Sequence, residues 1–154
     1  MGQEIERKFL VAGEAWRALG EGTPFRQGYL TADAARSVRV RIAGAQGFLT
    51  VKGPSVGAAR LEFEYEIPVA DAEAMLDALC ARPLIEKTRY RIPSGGLIWE
   101  VDEFAGDNAG LVVAEVELEH EDQEVVLPDW VGAEVTGDPR YFNASLVAQP
   151  YKEW

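Results

Sequence analysis

Period-two alternation dominates this chain, and in several stretches it sets charged side chains against apolar ones. A β-strand turns that period into two chemically opposite faces, because successive side chains leave it on opposite sides. The alternation reads as eight strands, at residues 3–11, 25–30, 37–43, 46–53, 59–68, 83–92, 96–104 and 111–119. The fifth shows the pattern most fully: Glu62, Glu64 and Glu66 share one side, and Leu61, Phe63, Tyr65 and Ile67 the other. Glycine-rich breaks at 43–47 and 93–96 read as tight turns, and those at 53–57 and 105–110 as longer loops. Helical spacing is confined to 71–81, with Asp71 as N-cap, to a short piece at 14–19, and to 139–148, with Asp138 as N-cap and Pro139 in the first turn. Eight strands with so few helices predict a mainly β fold, a closed eight-stranded antiparallel β-barrel with a few outer helices. Closure removes the exposed sheet edges. With 154 residues and no linker or repeat, residues 1–154 are expected to form a single domain.

Alternation alone does not say which face is inside. Any one of these strands, taken singly, fits an ordinary sheet with its charges toward water. The set behaves differently, because the signs segregate by strand. Glu4 and Glu6 mark the first strand, Glu100 and Asp102 the seventh, and Glu115, Glu117 and Glu119 the eighth. Arg39 and Arg41 mark the third, Lys52 the fourth, and Lys87, Arg89 and Arg91 the sixth. Carboxylates gathered this way repel one another and call for a hard divalent cation, Mg²⁺ or Mn²⁺. The gathered Arg and Lys residues suit phosphate, which Arg holds bidentately and Lys meets as a point charge. A barrel with a charged bore and an apolar outer face satisfies both.

These residues also resemble a known family. Glu4-Ile5-Glu6-Arg7-Lys8 matches the N-terminal E-x-E-x-K signature of the CYTH superfamily, the triphosphate tunnel metalloenzymes. Arg39 and Arg41, Lys52, Glu62 and Glu64, Lys87 and Arg89, Asp102, and Glu115 and Glu117 follow in the family's order, over about residues 3 to 147. The chain looks most like the short bacterial inorganic triphosphatases. The resemblance implies a barrel that forms a tunnel. It implies metal binding by Glu4, Glu6, Asp102, Glu115 and Glu117, and substrate binding by Lys8, Arg39, Arg41, Lys52, Lys87 and Arg89. Glu62 and Glu64 match tunnel carboxylates, with Glu66 leaving the register open by two residues. Tyr29 resembles a tyrosine placed near Lys8, so Lys8 and Tyr29 are the candidate catalytic pair. A second metal is the alternative activator of water. Arg140, Tyr141 and Asn143 lie in a segment that closes one tunnel mouth in such proteins.

Metal-dependent hydrolysis of a triphosphate, above all inorganic tripolyphosphate, is the expected activity. Class IV-type adenylate cyclase and thiamine triphosphatase use the same site chemistry, and a polyphosphate or nucleotide sensor is the non-enzymatic alternative. A lipocalin-like carrier with an apolar bore would invert every strand. Phe63, Tyr65, Tyr90 and Trp99 fall opposite the charges, which leaves no evident nucleobase pocket. A net charge of −11 argues against nucleic acid and anionic membranes as partners. No stretch approaches the ~18 apolar residues of a membrane span. The single cysteine, Cys80, permits no internal disulfide, and the N-terminus lacks a signal peptide's apolar core, so a cytoplasmic location is expected. Cys80 reads as core, His120 as surface, and Trp16, Trp130 and Trp154 as covers for the barrel ends. Oligomeric state, a homodimer included, stays open.

Overall fold

The computed structural model describes residues 2–33 and 35–154. Among these, nine strands and two α-helices follow in the order β1 (Gln3–Val11), β2 (Gly22–Ala32), β3 (Ser37–Ala43), β4 (Gln46–Lys52), β5 (Ala59–Ile67), α1 (Val69–Ala78), β6 (Ile85–Ser94), β7 (Leu97–Phe104), β8 (Val112–Glu117), β9 (Val131–Glu134) and α2 (Asn143–Ala148). The strands neighbour one another in the order β5-β4-β3-β2-β6-β7-β8-β1, and β1 pairs back onto β5, so eight antiparallel strands close into a barrel. The ninth was not expected. β5 occupies the free edge of β1 only over Gln3–Ile5, and β9 takes that edge at Phe9 and Val11. The backbone donors and acceptors of β1 beyond β5 thereby find partners.

Inward positions on each strand change character along the barrel. On β1 they run Glu4, Glu6, Lys8, Leu10; on β8, Glu117, Glu115, Val113; on β7, Glu100, Asp102, Phe104; and on β6, Arg89, Lys87, Ile85. The charged part forms the bore. The apolar part is one end of it, where Ile85, Phe104 and Val113 are buried against Leu146 of α2 and Tyr141.

The rest of the apolar burial lies outside the barrel. Val40 and Ile42 meet Ala72, Leu76 and Cys80 beneath α1. Around β6, β7, β8 and β1, Phe9, Trp99, Val101 and Val116 are sealed by Trp16 and Trp130. Trp99 packs edge-on to Trp130 with centroids 5.7 Å apart, and Trp16 edge-on to Tyr90 at 5.1 Å. A 3₁₀ turn at Ala15–Ala18 carries Trp16, so no α-helix covers Trp99. Trp16 and Trp130 thus cover the wall rather than the ends, while Trp154 is partly exposed beside Tyr141.

Both α-helices differ from the sequence pattern at their boundaries. α1 starts two residues before Asp71, because the carbonyl of extended Pro68 accepts from the Asp71 and Ala72 amides. Asp71 lies in the first turn, where its charge complements the helix dipole. The C-terminal helix is broken. Pro139–Tyr141 is a 3₁₀ turn, capped by Asp138 accepting from the Arg140 amide, and Phe142 is extended (φ −70°, ψ 133°) before α2 begins. The break lets Tyr141 and Leu146 both reach the barrel's apolar end while Phe142 turns toward Lys8, whose Nζ lies 5.2 Å from its ring centre.

Candidate active site

Strand order sorts the charges into two facing walls. β7, β8, β1 and β5, which carry most of the carboxylates, are contiguous around the barrel, and so are β4, β3, β2 and β6, which carry most of the cations. A cavity of about 790 Å³ runs between them. Of the residues picked out from the sequence, Glu4, Glu6, Lys8, Tyr29, Arg39 and Arg41 line it. So do Lys52, Glu62, Glu64, Lys87, Arg89, Glu115 and Glu117. Asp102 alone of the set does not reach the cavity surface.

On the basic wall, Arg39 Nη2 donates to Thr50 Oγ1 at 3.3 Å and lies 3.6 Å from Glu64, whereas its buried Nε has no partner. A buried donor without a partner costs about 1–3 kcal/mol. Arg41 and Arg89 both lie over the Phe25 ring, each 4.9 Å from its centre. Burial, then the neighbouring Arg39 and Arg89, pulls the Arg41 guanidinium down to about 9. Burial also pulls the Lys87 ammonium down, to about 7; Arg89 and Arg41 add to this and Asp102 offsets only part of it. This wall therefore holds more positive charge than its own carboxylates balance.

Asp102 accounts for much of the compensation that exists. Its Oδ1 accepts from Arg89 Nε at 2.7 Å, and its Oδ2 from Arg89 Nη2 at 2.9 Å and Lys87 Nζ at 2.8 Å. Burial would raise its carboxyl, but Arg89 and Lys87 together hold it well below the usual range. Lys52 stands between the walls, 3.1 Å from both Glu4 and Glu62.

The acidic wall shows the opposite imbalance. Glu6 and Glu117 face each other across the β1–β8 pairing, and neither has an ion-pair partner among the described residues. Burial, then Glu115 and Glu4, pushes the Glu6 carboxyl well above its ordinary value. Glu4 and Glu117 are raised as well, again with burial first. Glu115 is the exception. Despite burial, Lys8 at 3.7 Å leads the charges that hold it near 2, and Glu115, Glu6 and Glu4 together keep the buried Lys8 ammonium above its ordinary value.

Glu4, Glu6, Glu115 and Glu117 offer hard oxygen donors, and Glu6 and Glu117 have no cation paired with them among the described residues, which suits a divalent cation. Among the described residues no three acidic side chains converge on one point. That fits an ion that keeps several waters and takes one or two carboxylates together with phosphate oxygens, as Mg²⁺ does.

The raised carboxylates make a testable pH dependence. The folded protein holds the Glu6 proton more tightly than the unfolded chain does. Stability therefore rises as pH falls through the raised pKa toward about 4.5, where the unfolded carboxyl also protonates. The depressed Asp102 and Glu115 act oppositely, losing their contribution only as pH falls below that point. The Lys87 ammonium acts only between about 7 and 10.5. Calorimetry of the metal-free protein should thus show a melting temperature that rises from pH 7 to pH 5, and Glu6→Gln should flatten the rise. A decrease over that window would contradict a cation-deficient wall.

Several residues at the site gave no signal in the charge pattern. Gln27 is fully buried between the strands that carry Arg41 and Ile85, and it shares the inward parity of Phe25 and Tyr29, which was the available clue. Phe25 lies beneath the cations of the bore, and Phe142 and Asn143 enter from the C-terminal segment. Phe63 and Tyr65 point outward as expected, and both are exposed.

The model of the CYTH domain matches residues 2–151. An inorganic triphosphatase of Acetivibrio thermocellus is 54% identical over 154 residues, spanning 100% of this chain and 99% of that protein. An inorganic triphosphatase of Nitrosomonas europaea is 43% identical over 148 residues, spanning 93% and 95%. A crystal structure of an inorganic triphosphatase superposes with a TM-score of 0.64 at 40% identity, covering 94% of this chain and 93% of that one.

Proposed function

The chain belongs to the CYTH family, and from that premise we propose that it hydrolyses a triphosphate, inorganic tripolyphosphate above all, between the two walls of its barrel. The observation that carries this reading is the mutual imbalance of the walls. One is short of anions and the other of cations, and a triphosphate with a divalent metal supplies both. Arg39, Arg41, Lys52, Lys87 and Arg89 take the phosphate oxygens. One or two of Glu4, Glu6, Glu115 and Glu117 would hold the metal, Mg²⁺ or Mn²⁺, together with phosphate oxygens and water. A cation held there supplies positive charge at the phosphate oxygens and acidifies water for in-line attack.

Lys8 stands among carboxylates that keep it protonated. It therefore serves as a fixed positive donor that orients the attacking water with Tyr29, or steadies charge on the phosphate, rather than as a base. Glu62 and Glu64 tether Lys52 and Arg39. The family resemblance groups Asp102 with the metal carboxylates. Its oxygens are already engaged by Arg89 and Lys87, so we assign it to positioning those cations.

The choice of substrate follows from what the cavity lacks. Among the described residues, Tyr29 and Phe142 are the aromatic ones along the cavity wall, and Phe142, like Phe25 behind the cations, already lies against a charged group. Free tripolyphosphate brings more negative charge than a nucleotide and no base to accommodate. With Mg²⁺, kcat/KM for tripolyphosphate should exceed that for ATP or thiamine triphosphate by roughly 10-fold or more, with no cyclic AMP formed and no phosphate released in chelator. A preference for ATP, or cyclic AMP as the main product, would reject this reading.

A further inference from the structure

Hydrogen-bond directions at the α2 end of the cavity are fixed by chemistry, because Arg and Lys side chains only donate. Arg41 Nε donates to Gln27 Oε1 at 3.0 Å, so Gln27 must turn its amide nitrogen the other way. That nitrogen donates to Asn143 Oδ1 at 2.9 Å, and Lys87 Nζ donates to the same oxygen at 2.7 Å. Two donors on one oxygen leave the Asn143 amide a single orientation, with Oδ1 toward β2 and β6 and Nδ2 turned away from them. No hydrogen bond is made by Nδ2 among the described residues, and Asn143 lines the cavity.

We propose that Asn143 is a substrate-binding residue whose Nδ2 donates to a phosphate oxygen at the end of the cavity closed by α2. This rests on the reading of the cavity as a triphosphate site. A neutral donor suits the position. Arg41, Lys87 and Arg89 already crowd it with positive charge, and a further cation would repel them, whereas an amide binds an anionic oxygen without adding charge. The C-terminal segment then does two things: Leu146 closes the barrel end, and Asn143 presents a phosphate contact from it.

The test is a titration of the ¹⁵N-labelled protein with tripolyphosphate in chelator, where no turnover occurs. The Asn143 side-chain amide signal is assigned by its loss in Asn143→Ala. It should shift and saturate with the dissociation constant that calorimetry gives for the whole protein. Asn143→Ala should weaken tripolyphosphate binding by about 10-fold or more, the usual effect of losing one hydrogen bond to a charged group. Asn143→Asp keeps the volume and the acceptor for Gln27 and Lys87, so its melting temperature should hold or rise while its affinity falls at least as far. An amide signal that stays put while tripolyphosphate binds, or wild-type affinity in Asn143→Asp, would overturn the assignment. Failure of the wild type to bind tripolyphosphate at all would instead reject the proposed function beneath it.

Discussion

Glu6→Gln is expected to lower kcat/KM for tripolyphosphate by on the order of 10³-fold, about 4 kcal/mol of transition-state stabilisation, while the metal-free protein becomes more stable. The substitution keeps the volume and removes one hard anionic donor. It also removes a half-buried charge that faces Glu117 and lies near Glu115 and Glu4 without a cation of its own. Relief of that repulsion raises the melting temperature in chelator, and the lost donor weakens the cation site, so stability and activity move in opposite directions. Glu117→Gln should behave alike. Glu115→Gln should not, because Lys8 and Arg89 lean on that carboxylate and the variant leaves both less balanced. The measurements are steady-state kinetics across a Mg²⁺ series and thermal unfolding in chelator. Wild-type turnover by Glu6→Gln at saturating Mg²⁺ would remove Glu6 from the metal set.

Asp102→Asn should have its main effect on the fold. The wild-type side chain is buried, and it carries the anionic side of a triad with Arg89 and Lys87, whose side chains are also buried. Removing one member of a buried ion pair leaves charge uncompensated, a loss of about 3–5 kcal/mol. For a chain of this size each kcal/mol moves the melting temperature by about 2–4 °C, so a fall of roughly 6–20 °C is expected. Tripolyphosphate should recover part of it by supplying anions to the same two cations. If Asp102→Asn instead melts like the wild type and only demands more Mg²⁺, Asp102 is a metal ligand and the positioning role is wrong.

The sequence made the barrel legible because charge parity survives in most of its strands. Glu4, Glu6 and Lys8 share a parity, as do Arg39 and Arg41, and all of them line the cavity. Parity states which face a side chain joins and says nothing about what it touches. Asp102 therefore reads like Glu115 in the sequence, although one is enclosed by cations and the other is open to the cavity. Tyr29 and the place of Asn143 came only through the family resemblance, and the contacts of the uncharged residues were illegible for a related reason. Gln27 and Asn143 act through the directions of their amide groups, and those depend on neighbours contributed by distant strands. Val131–Glu134 was missed as a strand because four residues, one of them glycine, are too few to show a period. What makes it a strand is the unfilled edge of β1.

That edge has a further consequence. β1 and β5 meet only over Gln3–Ile5 and Ala59–Leu61, while the neighbouring pairs zip along most of their lengths. Lys52, which reaches Glu4 on one side of the joint and Glu62 on the other, acts as its side-chain clasp. A closed sheet yields first along its least fastened line, and local openings of this kind lie well below the free energy of global unfolding. In this barrel that line is the β1–β5 joint, which lies beside Glu4 and away from the strands that carry Arg39, Arg41 and Arg89.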